Sequence, residues 1–284
     1  MQERTRGRVV VVGSVNIDLV VGVEAIVAPG QTVIGGDLSR LHGGKGANQA
    51  VAAARAGAQT VLIARVGDDE FADAALENLR GEGVDTAFVR RSSSQSTGVA
   101  LIQVADGGEN AIVVASGANG DLSRSDVDDA FAAIEGEAVV VLGFETPLEV
   151  AEHAAGAARA RGWRVLLNPA PARILPATLL ADVDVILPNE HEITRLGFDS
   201  PADLIEAGIP TIVETRGADG VRVHTASGSR HVPAVRVTAI DTTGAGDAFV
   251  GSLAAALAEG DDLDAAIVRA VRAGAEVTTR IGAR

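Results

Sequence analysis

Short apolar runs rich in β-branched residues alternate along the chain with longer, alanine-rich segments. The short runs predict buried strands at 9–12, 60–66, 138–142, 164–167, 183–187 and 211–214. The longer segments have helical spacing and predict helices near 46–56, 70–81, 124–134, 147–161, 246–259 and 263–280. Continuously apolar strands separated by helices are typical of a parallel sheet that is buried on both faces. The pattern therefore predicts an α/β fold of three layers (α/β/α) with a mostly parallel, doubly wound sheet. Ligands are expected beyond the carboxyl ends of its strands.

Four further segments alternate between apolar and polar residues and have no helices between them. They lie at 19–23, 33–41, 99–104 and 111–114. Because such alternation is typical of half-exposed strands, we predict a small second β-sheet that forms a lid over one end of the main sheet. The alternative is that these strands are edge strands of the main sheet. No linker or repeat divides the chain, so 1–284 is expected to be a single domain.

The formal net charge of −14 and the absence of cysteine narrow the functional classes. An acidic chain can hardly supply a basic face, so we expect no nucleic-acid partner. No apolar run is long enough to span a membrane, so no membrane partner is expected. Asn16 and Asp18 interrupt the apolar run near the N-terminus, which argues against a secretory signal. These features together favour a cytoplasmic location.

The run from Asp241 to Asp247 places small residues and a carboxylate where an apolar helix begins. Gly244, Ala245 and Gly246 let backbone approach backbone, and the first N–H groups of the helix can then hold an anion. Asp247 lies beside that site, where its carboxylate could take the proton of a hydroxyl that attacks a phosphoryl group. The alternative is an ordinary acidic residue in a first helical turn.

A second glycine-rich loop, Gly43-Gly44-Lys45-Gly46-Ala47-Asn48, also opens a predicted helix. It is not a P-loop, because no Gly-Lys-Ser/Thr ending is present. Two such loops in one α/β chain suggest two halves of a ligand site. Asn16 and Asp18 follow the first strand, and an amide with a carboxylate could bind neighbouring hydroxyls of a sugar.

Several separated motifs occur in the order known from one enzyme family. They are Gly13-Ser14-Val15-Asn16-Ile17-Asp18, Gly43-Gly44-Lys45-Gly46-Ala47-Asn48-Gln49-Ala50, Gly67-Asp68-Asp69, Ser96-Thr97-Gly98, Gly117-Ala118-Asn119, Asn168-Pro169-Ala170-Pro171, Pro188-Asn189-Glu190 and the run from Asp241 to Asp247. In these motifs the chain resembles the ribokinase-like, PfkB-type carbohydrate kinases. The resemblance implies that family's fold, with its small lid sheet, and phosphoryl transfer from ATP to a sugar hydroxyl.

The resemblance also implies a role for individual residues. Asp247 would be the catalytic base, and Gly244, Ala245 and Gly246 would form the anion hole with it. The sugar would be bound by Asn16, Asp18, Gly44, Lys45, Gly46, Asn48 and Glu145. Asn189 and Glu192 would help to place Mg²⁺ and the phosphates of ATP, through water. The nucleotide loop would comprise Thr215, Arg216, Gly217, Ala218, Asp219 and Gly220, with Gly246 also close to the nucleotide.

A potassium site beside the anion hole is implied as well. Asp241 and Thr243 would contribute to it, together with backbone carbonyls of Val277, Arg280 and Gly282. Relatives continue beyond the position of Arg284 with another residue of this site and a final helix, so its completeness stays open. Two positions depart from the family. Arg216 replaces a small or aliphatic residue and either adds a cation near the phosphates or points outward, and Val271 replaces a polar adenine contact.

Three functions remain open at this stage. The Gly-Gly-Lys-Gly-Ala-Asn-Gln run and the Asn-Pro-Ala-Pro motif favour ribose as the acceptor. The first alternative is another kinase of the same fold, such as a fructokinase, a ketodeoxygluconate kinase or a nucleoside kinase, although few aromatic residues argue against a stacked nucleoside. The second is a non-catalytic sugar-binding or regulatory protein. We expect a homodimer formed through the apolar face of the lid.

Overall fold

Two β-sheets, eight α-helices and three short 3₁₀ helices form the regular structure of the residues that the computed structural model describes, 7–280, 282 and 283. The strands are β1 (Arg8–Val12), β2 (Asn16–Val23), β3 (Leu38–Gly43), β4 (Gln59–Val66), β5 (Val89–Arg91), β6 (Gly98–Ala105), β7 (Asn110–Ala115), β8 (Val139–Leu142), β9 (Arg164–Leu167), β10 (Val185–Ile186), β11 (Thr211–Thr215), β12 (Val221–Thr225) and β13 (Gly228–Val232). The helices are α1 (Lys45–Arg55), α2 (Glu70–Gly81), α3 (Arg124–Ala133), α4 (Leu148–Ala160), α5 (Ala177–Leu180), α6 (Pro201–Glu206), α7 (Ala245–Ala258) and α8 (Leu263–Val277).

The main sheet has nine strands in the order β13-β12-β11-β10-β9-β8-β1-β4-β5. The strands from β11 to β5 run parallel, whereas β12 and β13 form an antiparallel hairpin at one edge. All six strands predicted from apolar runs are present. The hairpin was not predicted, because in β12 only alternate residues, Val221 and Val223, are buried and the run is short.

The core lies in two layers, one on each face of the main sheet. Val9 and Val11 of β1 pack with α1, α2, α7 and α8, whereas Val10 and Val12 pack with α3 to α6. Successive side chains of a strand point to opposite faces, so a continuously apolar strand supplies both layers. The predicted three-layer arrangement is therefore confirmed.

The lid sheet is separate from the main sheet and has the order β3-β2-β6-β7. This confirms the predicted second sheet and excludes the alternative of extra edge strands. The prediction of a strand over 33–41 was wrong at its start, because β3 begins at Leu38. The preceding residues contain two glycines, and Gly36 donates its N–H to the carbonyl of Gly22 (2.9 Å) outside any regular ladder.

Three lid strands begin or end beside the turn that joins β1 to β2. Asn16 pairs with both Gly43 and Gly98, so β2, β3 and β6 meet at one row. Asn16 and Asp18 therefore open the lid strand β2 rather than ending β1.

Helix α8 stops at Val277, three residues before its predicted end, where the Thr278 hydroxyl donates to the Ala275 carbonyl (2.7 Å). Within the described residues, no helix combines the length and the apolar character needed to cross a membrane.

Candidate active site

The run from Asp241 to Asp247 ends in the first turn of α7. Gly244 is the N-cap residue with φ of 77°, in the left-handed region that favours glycine. A Cβ atom at this position would also come within 2.6 Å of the Ala283 backbone. Ala245 and Gly246 follow in the first turn, where N–H groups lack partners within the helix. The Ala245 N–H donates to the Thr242 carbonyl (3.3 Å) in the preceding turn. An anion-binding turn at this helix start stays a prediction.

Two side-chain amides hold the carboxylate of Asp247. The Asn48 amide donates to Oδ2 (3.0 Å) and the Gln49 amide donates to Oδ1 (2.9 Å). Asp247 is only 6% exposed, so these bonds compensate for much of its lost hydration. Gln49 had no predicted role, although it belongs to the quoted Gly43 to Ala50 motif. Consecutive residues of α1 thus fix the orientation of the predicted base.

The start of α1 is pressed against the turn between β1 and β2. Gly44 has φ of 88°, and a Cβ there would lie 2.7 Å from the Asn16 nitrogen. A Cβ at Gly46 would lie 2.5 Å from the Ser14 nitrogen. The Ala47 N–H donates to the Ser14 carbonyl (2.9 Å), which ties the two segments together. Glycine at 44 and 46 therefore permits the close approach on which the site depends.

Glu145 lies after β8 and reaches the start of α1. Its Oε2 accepts hydrogen bonds from the Ser14 hydroxyl (2.5 Å) and from the Lys45 N–H (3.0 Å). The carboxylate therefore satisfies a first-turn donor of α1 from across the sheet, which the helix dipole favours. Ser14 was not singled out in the sequence, although it lies in the first quoted motif.

Lys45 lies among the carboxylates of the site. The attraction of Asp247 is the largest influence on its ammonium; burial opposes it, Glu145, Glu192 and Asp18 add to it, and the net effect raises the pKa of Lys45. The ammonium is therefore fully charged at neutral pH. The carboxylates predicted to bind the sugar, to act as the base and to place the metal therefore all act on the ammonium of Lys45.

Asn16 is 2% exposed and its amide oxygen accepts a hydrogen bond from the Asn119 amide (2.7 Å). Asn119 also binds both the N–H and the carbonyl of Val15 (2.8 and 3.2 Å). Asp18 lies two residues further along β2, with its carboxylate against Gly43. Asn119 therefore holds the turn that carries both predicted sugar ligands, a role that sequence reasoning missed.

Two concave regions meet at the start of α7. A cleft of about 140 Å³ lies above Asp247; its lining includes Lys45, Asn189, Glu192, Thr215 and Gly246. A larger, mostly apolar cavity of about 580 Å³ is lined by Thr215, Gly217, Ala218, Gly220, Val221, Ala234, Val235, Arg236, Val237, Ala239, Thr242, Ala245, Gly246, Phe249, Val271, Gly274, Ala275 and Thr278. Thr215 and Gly246 line both regions, so the two are adjacent at the predicted anion hole.

Arg216 and Asp219, which belong to the predicted nucleotide loop, are not part of this lining. The Arg216 guanidinium lies 3.5 Å from Glu214 and 3.8 Å from Glu190. Of the two alternatives for Arg216, the geometry favours the one in which it points away from the cavity. Val271 does line the larger cavity.

Asn189 and Glu192 form a compact turn beside the cleft. Glu192 accepts the Asn189 N–H (2.8 Å), and the Asn189 side-chain oxygen accepts the His191 N–H (2.9 Å). Both line the cleft above Asp247 and present oxygen atoms, the donors that Mg²⁺ prefers.

The segment after α8 packs on the Asp241 loop. Asp241 accepts the N–H groups of Thr243 and Gly282 (2.9 Å each), and its own N–H donates to the Thr278 carbonyl (3.1 Å). Burial opposes ionisation of Asp241, but hydrogen bonds from Thr243 and Gly282 outweigh it and lower its pKa. The structure thus brings Asp241, Thr243 and Gly282 together, whereas the Val277 carbonyl accepts the Arg280 N–H (3.4 Å).

Comparison with known proteins identifies relatives over nearly the whole chain. The chain is 41% identical to the ribokinase of Haemophilus influenzae, over 98% of this chain and 94% of that protein. It is 37% identical to the deoxyribokinase of Salmonella typhimurium, over 93% and 90% of the two chains. The structure of Arabidopsis thaliana ribokinase complexed with ribose and ATP superposes with a TM-score of 0.89 at 28% identity, over 98% and 95% of the two chains.

The model of the pfkB family carbohydrate kinases matches residues 6–284. The quoted motifs and the three-layer fold with its lid sheet agree with this match. The chain belongs to the pfkB family of carbohydrate kinases.

Proposed function

We propose that the protein is an ATP-dependent ribokinase that converts D-ribose and ATP to D-ribose 5-phosphate and ADP. The observation that carries the proposal is the buried carboxylate of Asp247, held by two amides in the first turn of α7, where the cleft and the larger cavity adjoin. The similarity to ribokinases supports ribose as the acceptor. Since ATP is an intracellular phosphoryl donor, the reaction fits the cytoplasmic location expected from the sequence.

The reaction begins with the terminal hydroxyl of the sugar in the cleft and the nucleotide in the larger cavity. Asp247 takes the proton of that hydroxyl while the hydroxyl oxygen attacks the γ-phosphorus of ATP. A new O–P bond forms, and the bond from phosphorus to the β–γ bridging oxygen breaks, leaving ADP. The N–H groups of Gly244, Gly246 and Asp247 stabilise the negative charge on the transferred group. The Ala245 N–H, the fourth donor of the predicted anion hole, donates to the Thr242 carbonyl (3.3 Å) and must leave that partner to bind the group.

The sugar hydroxyls are bound by the groups around Lys45. Asn16, Asp18 and Asn48 offer amide and carboxylate groups, and Gly44 and Gly46 let the sugar approach the backbone. Lys45 supplies a positive charge whose raised pKa keeps it protonated through the working range of pH. Glu145 positions the start of α1 through Ser14 and Lys45.

Two cations belong to the proposal. Asn189 and Glu192 would hold Mg²⁺ through water, and the metal neutralises phosphate charge when it is bound. Asp241 and Thr243, with carbonyls of Val277, Arg280 and Gly282, would hold K⁺ behind the anion hole. Oxygen donors of this kind suit a hard monovalent cation, and the hydrogen bonds that join Asp241 to Thr278 and Gly282 support the assignment. Replacing potassium by choline in the assay should then lower turnover.

The test of the proposed function is an ATP-consumption assay over ribose, 2-deoxyribose, fructose, 2-keto-3-deoxygluconate and nucleosides, with and without potassium. We expect the largest kcat/KM with ribose. A larger value with another acceptor would make that compound the substrate, and turnover with none would contradict a kinase function. Nuclear magnetic resonance of the product, through the couplings of phosphorus to the neighbouring carbon and protons, gives the position of the phosphate.

The role of Asp247 is tested by Asp247→Asn. Loss of the base should lower kcat by about a hundredfold or more. Asp264→Asn is the matched control, because Asp264 is also a first-turn acid, of α8, and is 73% exposed beside Arg230. A kcat of Asp247→Asn within about tenfold of the wild-type value would contradict the assignment.

We also propose a homodimer formed through the lid. By strand register, Val20, Ile102 and Ile112 share one row, and the next row toward the site contains Asp18 and Val114. Ile112 and Val114 are 53% and 47% exposed, so the lid presents an apolar face that a second copy would cover. Sedimentation should give a dimer that Ile112→Asp converts to monomer; a wild-type monomer at micromolar concentration would contradict the proposal.

A further inference from the structure

The motif Gly67-Asp68-Asp69, which joins β4 to α2, contacts the residue that precedes the lid strand β6. Asp69 Oδ1 accepts the Thr97 hydroxyl (2.6 Å), and Asp69 Oδ2 accepts the Thr97 N–H (2.8 Å). The Thr97 hydroxyl also accepts the Gly67 N–H (3.0 Å). We call this hydrogen-bonded pair of Asp69 and Thr97 the clasp.

The clasp is tightly enclosed. Thr97 is 1% exposed, and a Cβ at Gly67 would come within 2.5 Å of the Asp69 carboxylate. Burial opposes ionisation of Asp69, but the bonds from Thr97, Ala72 and Phe71 outweigh it and lower its pKa. Because hydrogen bonds to a charged group are stronger than neutral ones, the ionised clasp resists displacement of Thr97.

The next residue along the chain connects the clasp to the sugar site. Gly98 is the first residue of β6 and pairs with Asn16 of β2. A Cβ at Gly98 would overlap both the Asn16 side-chain oxygen and the Asn119 amide nitrogen. The position of the Gly98 backbone therefore determines the space in which the Asn16 amide sits.

We propose that Asp69 is a positioning residue for the sugar: through Thr97 it holds Gly98 against Asn16 and so fixes the amide that binds the acceptor. The inference rests on the proposed function, because it assigns Asn16 to the sugar. Asp69 lines neither the cleft above Asp247 nor the larger cavity proposed for the nucleotide. Its loss should therefore weaken sugar binding without a matching change in the chemical step or in ATP binding.

The experiment compares steady-state kinetics of Asp69→Asn, Thr97→Val and Thr97→Ser with wild type. Asparagine still caps α2, since Asn and Asp are equally good N-cap residues, but its NH₂ group meets a donor of Thr97. We expect the ribose KM to rise about tenfold in Asp69→Asn and Thr97→Val, because a charge-assisted bond inside the protein is lost. The KM for ATP and kcat should stay within about twofold, and Thr97→Ser, which keeps the hydroxyl, should resemble wild type.

Asp262→Asn is the matched control, because Asp262 caps α8 through the Ala265 N–H (2.8 Å) and lies far along the chain from the lid. Hydrogen exchange of the peptide covering β6 gives a second readout that needs no turnover. Exchange should be faster in Asp69→Asn and Thr97→Val and unchanged in Asp262→Asn.

Several outcomes would overturn the inference. One is an unchanged ribose KM in Asp69→Asn, and another is an equal rise in the ATP KM. If the wild-type protein phosphorylates no sugar, the proposed function fails. Hydrogen exchange of the β6 peptide then tests whether the clasp holds this strand. Equal exchange of β6 in Asp69→Asn and Asp262→Asn would show that the clasp does not anchor the lid strand.

Discussion

At the residue scale, Asp247 is held by two side-chain amides and attracts the ammonium of Lys45. Asn48 and Gln49 each donate one hydrogen bond to the carboxylate, and Gln49 is 2% exposed. The two amides restrict rotation of the carboxylate because each oxygen has its own donor. The sequence predicted Asp247 and Asn48, but no local pattern says that the next residue along the helix, Gln49, also reaches the base.

Removing the Gln49 amide should therefore reduce turnover more than binding. For Gln49→Ala we expect kcat to fall about tenfold, the effect of losing one bond to a charged group, with an almost unchanged ribose KM. Steady-state kinetics with ribose and ATP measure both values. Gln59→Ala, at an exposed position that begins β4, is the control. A kcat of Gln49→Ala equal to that of the control would show that Asn48 alone orients the base.

At the scale of elements, the site depends on how closely α1 approaches α7. A Cβ at Gly251 of α7 would overlap the Gln49 carbonyl and come within 2.6 Å of the Ala52 side chain. The opposing atoms are largely backbone and cannot move aside separately, so glycine sets the distance between the two helices. Because α1 carries Gln49 and α7 carries Asp247, the same distance sets their hydrogen bond.

Gly251→Ala should separate the two helices. We expect a loss of about 2 kcal/mol in the free energy of unfolding, as for other overpacked cores, together with a lower kcat. Urea denaturation and kinetics measure the two effects. Gly81→Ala, in the last turn of α2 with open space around its Cβ, should instead be neutral or stabilising by up to about 1 kcal/mol. Equal effects of the two substitutions would contradict the packing argument.

At the scale of the whole molecule, hydrogen-bonded carboxylates tie distant segments together. Asp126 of α3 is held by Arg65 of β4 (2.8 Å) and by Arg90 of β5 (3.1 Å). Burial opposes its ionisation, but the bonds from Arg65 and Ser123 outweigh it and lower the pKa of Asp126. Asp69 joins α2 to the lid and Asp241 joins α7 to the segment after α8 in the same way, each with a lowered pKa.

These three carboxylates should make the fold sensitive to acid. A group whose folded pKa is below its unfolded value of about 3.9 stabilises the fold fully above that value and loses this effect as the pH falls through the folded pKa. We therefore expect the free energy of unfolding to decline below about pH 4. Urea denaturation from pH 3 to 7 measures this free energy. Asp126→Asn should reduce its slope against pH. An identical slope in that variant would exclude Asp126 as a contributor.

The fold class, the two glycine-rich helix starts and the family could be predicted from the amino-acid sequence alone. These follow from local signals: apolar periodicity, glycine where the backbone must turn, and motifs in a fixed order. Boundaries were less certain, as the late start of β3 and the early end of α8 illustrate, because both depend on which partner receives each backbone hydrogen bond. The edge hairpin β12–β13 was missed because only alternate residues of the short strand β12 are buried.

The contacts between residues that are distant along the chain could not be predicted and follow from the packed fold. Gln49 beside Asp247, Asn119 beside Asn16 and Thr97 beside Asp69 are contacts between segments that no sequence pattern links. Their partners are chosen by the packing of helices on the sheet and by the row where three lid strands meet. A hydrogen bond needs its two atoms within about 3 Å, a distance that depends on the whole fold and not on local spacing.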